Sequence, residues 1–252
     1  LEAAVAEARD EEFFVGYLAL PPRTRRFVLA SAALCCALLL GLAALAAALR
    51  DPAAPSTQAT VTLSGRLDGR AYGVLWTVQD GHATPILIAG GGKFGAPAAA
   101  KLLFGQNVEA RGLLLERDGY RMLELTKLEA RPALDLESER ALAGVVPRPL
   151  GSLRLEGEIV DIKCWLGRMK PGDGRTHRAC AQFCIQGGIP PVLVARAANG
   201  RAQHYVLTDL RGGPINEAVL PYVAEAVTLE GEAERVGNML FLRVDLARIR
   251  RL

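Results

Sequence analysis

One stretch limits the options for this chain more than any other. From Phe27 to Leu49 run 23 residues without a charged side chain, most of them Ala and Leu. At about 1.5 Å per residue, a helix of that length crosses a hydrocarbon core of ~30 Å. Buried helices of soluble proteins rarely run so far with one serine, here Ser31, as their polar content. The expectation is a single-pass transmembrane anchor over residues 23–50, preceded by a short lead at 1–22.

The flanks orient the anchor. Arg23, Arg25 and Arg26 stand just before the span, while Arg50 and Asp51 after it roughly cancel. The positive-inside rule then keeps the lead in the cytoplasm and sends the bulk of the chain across a bacterial inner membrane, into the periplasm. Ala46 and Ala48 offer a small-residue cleavage site, as a secretory signal would. The apolar stretch is longer than a signal core and more than twenty residues precede it, which favours a retained anchor. Within the lead, Glu2 to Glu12 is charged and helix-prone. Phe13 to Leu18 is apolar and aromatic, suited to the membrane interface or to a partner subunit. The net charge of +3 is too small an excess to point to nucleic acid.

Beyond the anchor, residues 51–60 carry Pro52, Pro55 and small side chains, and read as a tether. A second break, residues 131–152, holds Pro132, Pro147 and Pro149, with room for a short helix from Leu134 to Leu142. The segments on either side, 61–130 and 153–252, look like copies of one unit. Val61 to Gly65 matches Leu153 to Gly157: apolar and polar residues alternate, then a glycine. Val108 to Gly112 matches Val227 to Gly231. Each leads through a turn, at Gly119 or Gly237, to a closing apolar strand, Met122 to Leu125 or Met239 to Leu242. Strand-like Ile86 to Ile88 and Tyr205 to Leu207 lie between. Each precedes a Gly-rich turn and a helix-prone piece, Ala96 to Leu103 or Ile215 to Ala224. Three strands, a helix and a hairpin, twice over, is the order of an OB-type five-stranded barrel. Glycine inside the long first and fourth strands suits the coiling of a small barrel. The chain is therefore read as mainly β, two tandem OB-like barrels after one transmembrane helix. Two small open β-sandwiches are the alternative.

The copies differ at one connection. Asp68 to Arg70 joins the first two strands of copy one, whereas copy two has an insertion over residues 161–190. This insertion holds Cys164, His177, Cys180 and Cys184. Thr176 is placed to N-cap a helix from His177 to about Ile185, which Gly187, Gly188, Pro190 and Pro191 stop. On such a helix His177, Cys180 and Cys184 share one face, and Cys164 can swing toward it across a Gly- and Pro-rich turn. A Cys3His set suits zinc and can also hold an iron–sulfur cluster. The loop has few apolar residues beyond Trp165, Leu166, Met169, Phe183 and Ile185, so its order is expected to depend on the metal.

A disulfide is the other reading, and an extracytoplasmic compartment favours it. Cys180 and Cys184 at i and i+4 lie about 6 Å apart at Cβ, against roughly 3.8 Å in a disulfide. The bond would then join Cys164 to one helix cysteine and leave a free thiol; a thiol-redox role stays open beside it. Cys35 and Cys36 fall in the span and read as packing residues. His82 reads as a surface histidine. His204, on the third strand of copy two, is a second-rank candidate for the cluster. Lys163, Arg168, Lys170, Arg175 and Arg178 outnumber Asp161 and Asp173 in the insertion, a charge that would dock an acidic partner or remain a solvated surface.

Three resemblances add to this. Thr24 to Leu29, with paired Arg25 and Arg26, resembles a twin-arginine export signal of the kind that anchors Rieske iron–sulfur subunits; the two Cys-x-His boxes of that family are missing. One anchor helix carrying an extracytoplasmic OB barrel is similar in architecture to the haem chaperone of cytochrome c maturation, without its His-x-x-x-Tyr box. The string Cys164, His177, Arg178, Cys180, Ala181, Cys184, then Gly187 to Pro191, resembles one in bacterial envelope proteins of no assigned activity.

No Gly-x-Ser-x-Gly, His-Glu-x-x-His or phosphate-loop motif occurs. The functional expectation is a non-enzymatic accessory subunit, its Cys3His zinc or iron–sulfur site serving a respiratory or other electron-transfer complex of the inner membrane. The alternative is an envelope metallochaperone or thiol-redox protein. A closed four-ligand site fits the first, and an open three-ligand site with an exposed thiol fits the second.

Overall fold

The computed structural model of the protein describes residues 21–48, 56–196 and 202–252. The lead over residues 1–20, including the Phe13 to Leu18 segment, lies outside them, as does the first half of the expected tether, residues 51–55. The chain divides into two units, Leu1–Ala53 and Ala54–Leu252.

The first unit carries helix α1, Pro22–Ala48, with 27 residues, none of them buried. It is long and apolar enough to cross a membrane. Pro22 at its first turn suits a helix start, where the missing N–H leaves no bond unmade.

The second unit holds both barrels. In the first, β1 (Thr57–Asp68), β2 (Val74–Gln79), β3 (His82–Ala89), β4 (Asn107–Arg117) and β5 (Tyr120–Ala130) close in the order β1-β2-β3-β5-β4. β4 returns antiparallel to β1, and β3 runs parallel to β5. The short helix α2 (Ala98–Lys101) lies between β3 and β4. In the second barrel, β6 (Arg148–Asp161), β7 (Pro191–Arg196), β8 (Ala202–Thr208), β9 (Ala226–Val236) and β10 (Met239–Val244) repeat that circuit. β8 pairs parallel with β10, β9 pairs with β6, and α5 (Asn216–Val219) takes the place of α2. A two-residue strand, β11 (Arg250–Arg251), extends the sheet beside β9. The tandem OB order expected of the two copies is the one observed, and both barrels close.

The matched glycines have a steric reason. A Cβ on Gly65, Gly112, Gly157 or Gly231 would overlap a carbonyl oxygen of the paired strand, at Trp76, Glu124, Val194 and Arg243 respectively. The four sites are equivalent in the two barrels, so the backbone coils tightly where no side chain stands in its way. Asp80-Gly81 and Asp118-Gly119 turn the two hairpins of the first barrel with both residues at positive φ, the geometry that suits a two-residue hairpin loop.

Strand limits differ slightly from expectation. β1 begins at Thr57 and β6 at Arg148, so both strands reach into segments read as tether and linker. The helix expected there, α3 (Leu136–Ala143), is capped by Asp135, whose carboxylate accepts from the Ser138 N–H at 2.8 Å. It packs on β2 and β3.

Three apolar clusters result. Leu67, Leu75, Ile86 and Leu123 fill the first barrel, and Ile159, Leu193, Leu207 and Leu229 the second. The third joins the barrels: Trp76, Leu87 and Met122 on one side meet Val160, Trp165, Val206 and Phe241 on the other. Tyr72 crosses this seam. Its hydroxyl donates to the Leu207 carbonyl at 3.1 Å and accepts from the Ile215 N–H at 3.2 Å. Burial pushes that hydroxyl well above its ordinary pKa, so it stays protonated and can keep donating.

Candidate metal centre

The insertion is built on the end of β6. Asp161, fully buried, turns the chain: its carboxylate accepts from the Cys164 N–H at 2.8 Å. One wide turn follows over Cys164–Arg168, with Gly167 at a φ of 107°. It buries Cys164, Trp165 and Leu166. A 3-10 turn at Arg175–His177 leads into α4, Arg178–Gln186. The Thr176 cap expected from sequence is not formed: Thr176 lies within the 3-10 turn, and no side chain caps α4. The helix ends as expected. Gly188, at a φ of 99°, donates to Ile185, and Ile189 donates to Cys184.

This folding brings the three sulfurs of Cys164, Cys180 and Cys184 within 4.8 Å of one another. All three are free thiols. Cys164 and Cys184 are buried, and Cys180 is half-exposed. His177 is buried too, but its ring belongs to a second group, with Asp161 and Cys164. Its Nε2 lies 3.0 Å from the Asp161 carboxylate. Cys164 is the residue common to both groups. A carboxylate behind an imidazole is the usual means of fixing the ring next to a metal.

A lysine from the other barrel completes the site. Lys93, on the loop after β3, donates to the Cys180 sulfur at 2.8 Å and reaches the Cys184 sulfur at 3.8 Å. The bond to Cys180 holds the Lys93 ammonium above its ordinary pKa, against a smaller opposing effect of burial. The hydrogen bond from Cys164 lowers the pKa of Cys184, and the positive charge of Lys93 acts in the same direction. The same bond to Cys184, with burial and the Asp161 charge, raises that of Cys164. Of the two buried sulfurs, Cys184 is the one whose surroundings favour the thiolate. Thiolate is the form that ligates metal.

The loop that carries Lys93 is pinned by glycines. Gly95 donates to the Gly187 carbonyl at 2.9 Å. A Cβ on Gly187 would overlap the Lys93 carbonyl oxygen, and one on Gly95 that of Gly188. Beneath it Lys163, 1% exposed, donates to the carbonyls of Gly90 at 2.7 Å and Gly92 at 2.8 Å and pairs with Glu124 at 3.0 Å.

One expectation is corrected here. The basic character of the insertion is largely satisfied internally. Lys163 is buried and bonded, Arg168 pairs with Glu124, and Arg178 pairs with Glu225. Trp165, Leu166, Ile185 and Ile189 of the insertion are buried in the apolar clusters, so packing contributes to its order.

The sequence pattern did not assign Lys93, Asp161 or Met169 to the site. The signal for Lys93 was its run of glycines, Gly90 to Gly92, and Gly95, which is more than a turn needs. The thioether of Met169 lies 3.4 Å from the Cys180 sulfur.

His82 is exposed, its ring bonded to the Asp80 carbonyl at 2.7 Å. His204 does not join the cluster. Its ring sits between Tyr120 and Trp165, with centroids at 4.3 and 4.0 Å, and neither ring nitrogen has a hydrogen-bond partner. Burial first, and then the Arg117 charge, lower its pKa from 6.5 to about 4. The folded value lies below the unfolded one, so between these pH values the unfolded chain binds the extra proton. Stability is full above about pH 6.5 and falls as pH drops toward 4, by roughly 3 kcal/mol at most. Chemical unfolding followed by tryptophan fluorescence should show that loss, and His204→Phe should remove most of it. An equal loss in the variant would assign the acid sensitivity elsewhere.

No protein-family model matches the sequence, and no curated protein matches it. Among solved structures, the chain is similar to the crystal structure of the tetrameric p202 HIN2, at 11% identity, covering 79% of this chain and 94% of that one. The TM-score of that pairing is 0.22, too low to bear on fold or function.

Proposed function

We propose that this protein is a membrane-anchored, non-enzymatic metal-handling protein of the bacterial envelope, holding a soft metal ion on Cys164, Cys180 and Cys184. The observation that carries the reading is the approach of three unbonded sulfurs to within 4.8 Å. Sulfurs so placed form one face of a tetrahedral or trigonal thiolate site. Cys180, half-exposed, leaves that site open on one side, which suits exchange of the ion with a partner more than permanent storage. Lys93 offsets the negative charge of the thiolates, and the Asp161–His177 pair supports Cys164 from behind.

The second reading is an accessory subunit of an inner-membrane electron-transfer complex, with zinc or an iron–sulfur cluster on a closed Cys3His site. The sharing of Cys164 between the thiol group and the His177 group favours it. Metal analysis and a visible spectrum of the intact chain, purified without oxygen, separate the two. One colourless, chelator-exchangeable ion per chain supports the first reading. A visible chromophore with iron and sulfide supports the second. Metal-free protein with Cys164 disulfide-bonded to a helix cysteine would overturn both in favour of thiol-redox work.

The compartment rests on Arg23, Arg25 and Arg26 before α1. A periplasm-dependent reporter fused after Ala130 should be active, and a cytoplasm-dependent one silent. The reverse pattern would place the barrels inside the cell.

A further inference from the structure

We infer that the ion this site takes is copper(I), with Met169 as a further ligand at the open side. The inference rests on the three-thiol reading above and names the ion. The sulfur of Met169 lies 3.4 Å from that of Cys180, and the residue is 47% exposed. The donors therefore grade from buried to exposed: two buried thiols, a half-exposed thiol, then an exposed thioether.

That order has chemical meaning. Zinc takes thiolate, imidazole and carboxylate, while a neutral thioether beside thiolates selects a soft ion such as copper(I). A singly charged ion on the thiolates of Cys164, Cys180 and Cys184 leaves two negative charges, fewer than three thiolates alone would carry. The Lys93 ammonium, 2.8 Å from the Cys180 sulfur and 3.8 Å from that of Cys184, offsets one of the two. The position of Met169 also follows from the fold. It comes directly after the turn in which Gly167 takes a φ of 107°, in extended backbone, and its sulfur reaches Cys180 of α4. A methionine there can leave the ion and come back while the buried sulfurs keep it, as ligand exchange with a partner requires.

The test is an anaerobic titration of the full-length chain in detergent micelles, with copper(I) buffered by bathocuproine disulfonate and, separately, with zinc. The wild type should bind one copper(I) and give the ultraviolet absorption of sulfur-to-copper charge transfer. Met169→Leu, which keeps the volume, should weaken copper(I) by about tenfold or more, the scale for losing a supporting group at a metal site. It should leave zinc binding unchanged. Equal copper(I) affinity in wild type and Met169→Leu overturns the role of Met169. Zinc binding without copper(I) binding overturns the copper assignment and leaves the three-thiol site standing. Binding of neither ion overturns both.

Discussion

Cys184→Ser empties the metal site while the fold stays intact. Cys184 is buried, meets Cys164 and Lys93, and belongs to the sulfur triad. A serine hydroxyl fills nearly the same space but does not ionise near neutral pH, so one thiolate ligand is lost. Metal per chain should drop from a full site to almost none. Circular dichroism and unfolding should change little, because Trp165, Leu166 and Ile185 anchor the insertion by packing. Cys35→Ser, in α1, should retain metal fully. Retention of metal by Cys184→Ser would remove Cys184 from the ligand set. Unfolding of the insertion in the same variant would support the expectation that metal staples the loop.

Lys163→Met should produce the largest loss of stability among substitutions of charged residues in the insertion. Lys163 is the strut between the barrels, bonded to Gly90, Gly92 and Glu124. Methionine matches its length but donates nothing, so two carbonyls lose their donor and Glu124 keeps only Arg168. Removing one partner of a buried pair costs about 3 kcal/mol or more, which for a unit of this size lowers Tm by roughly 6–12 °C. The loop carrying Lys93 should loosen as well, and metal affinity fall with it. Lys170→Met, at an exposed position of the same insertion, is the control and should be near neutral. Equal melting of Lys163→Met and wild type would show that the strut bears no load.

The legible parts of this molecule were those written in local spacing. Gly65 and Gly157, and Gly112 and Gly231, stand at equal offsets because each admits a crossing carbonyl, so steric need showed up as a repeat. The insertion over residues 161–190 was visible because Asp68 to Arg70 makes the same connection in the first copy with three residues, and β6 and β7 do flank it, ending at Asp161 and starting at Pro191. The convergence of Cys180 and Cys184 followed from helical period. What stayed hidden depends on residues far apart in sequence. Lys93 meets Cys180 only because the two barrels pack through Trp76, Met122, Trp165 and Phe241. Local pattern likewise assigned Lys163 to a charged surface, although it lies at the bottom of that seam. Thr176 had the right chemistry for a cap, but the 3-10 turn took its place. His177 has the right helical offset, yet it precedes the first residue of α4 and turns to Asp161.

X-ray absorption at the metal edge tests the central claim most directly. In the full-length chain loaded with one zinc, the expected result is a first shell with three sulfur neighbours at about 2.3 Å, reduced in Cys180→Ser and unchanged in Cys36→Ser. A shell of nitrogen and oxygen alone, or one holding a single sulfur, would contradict it.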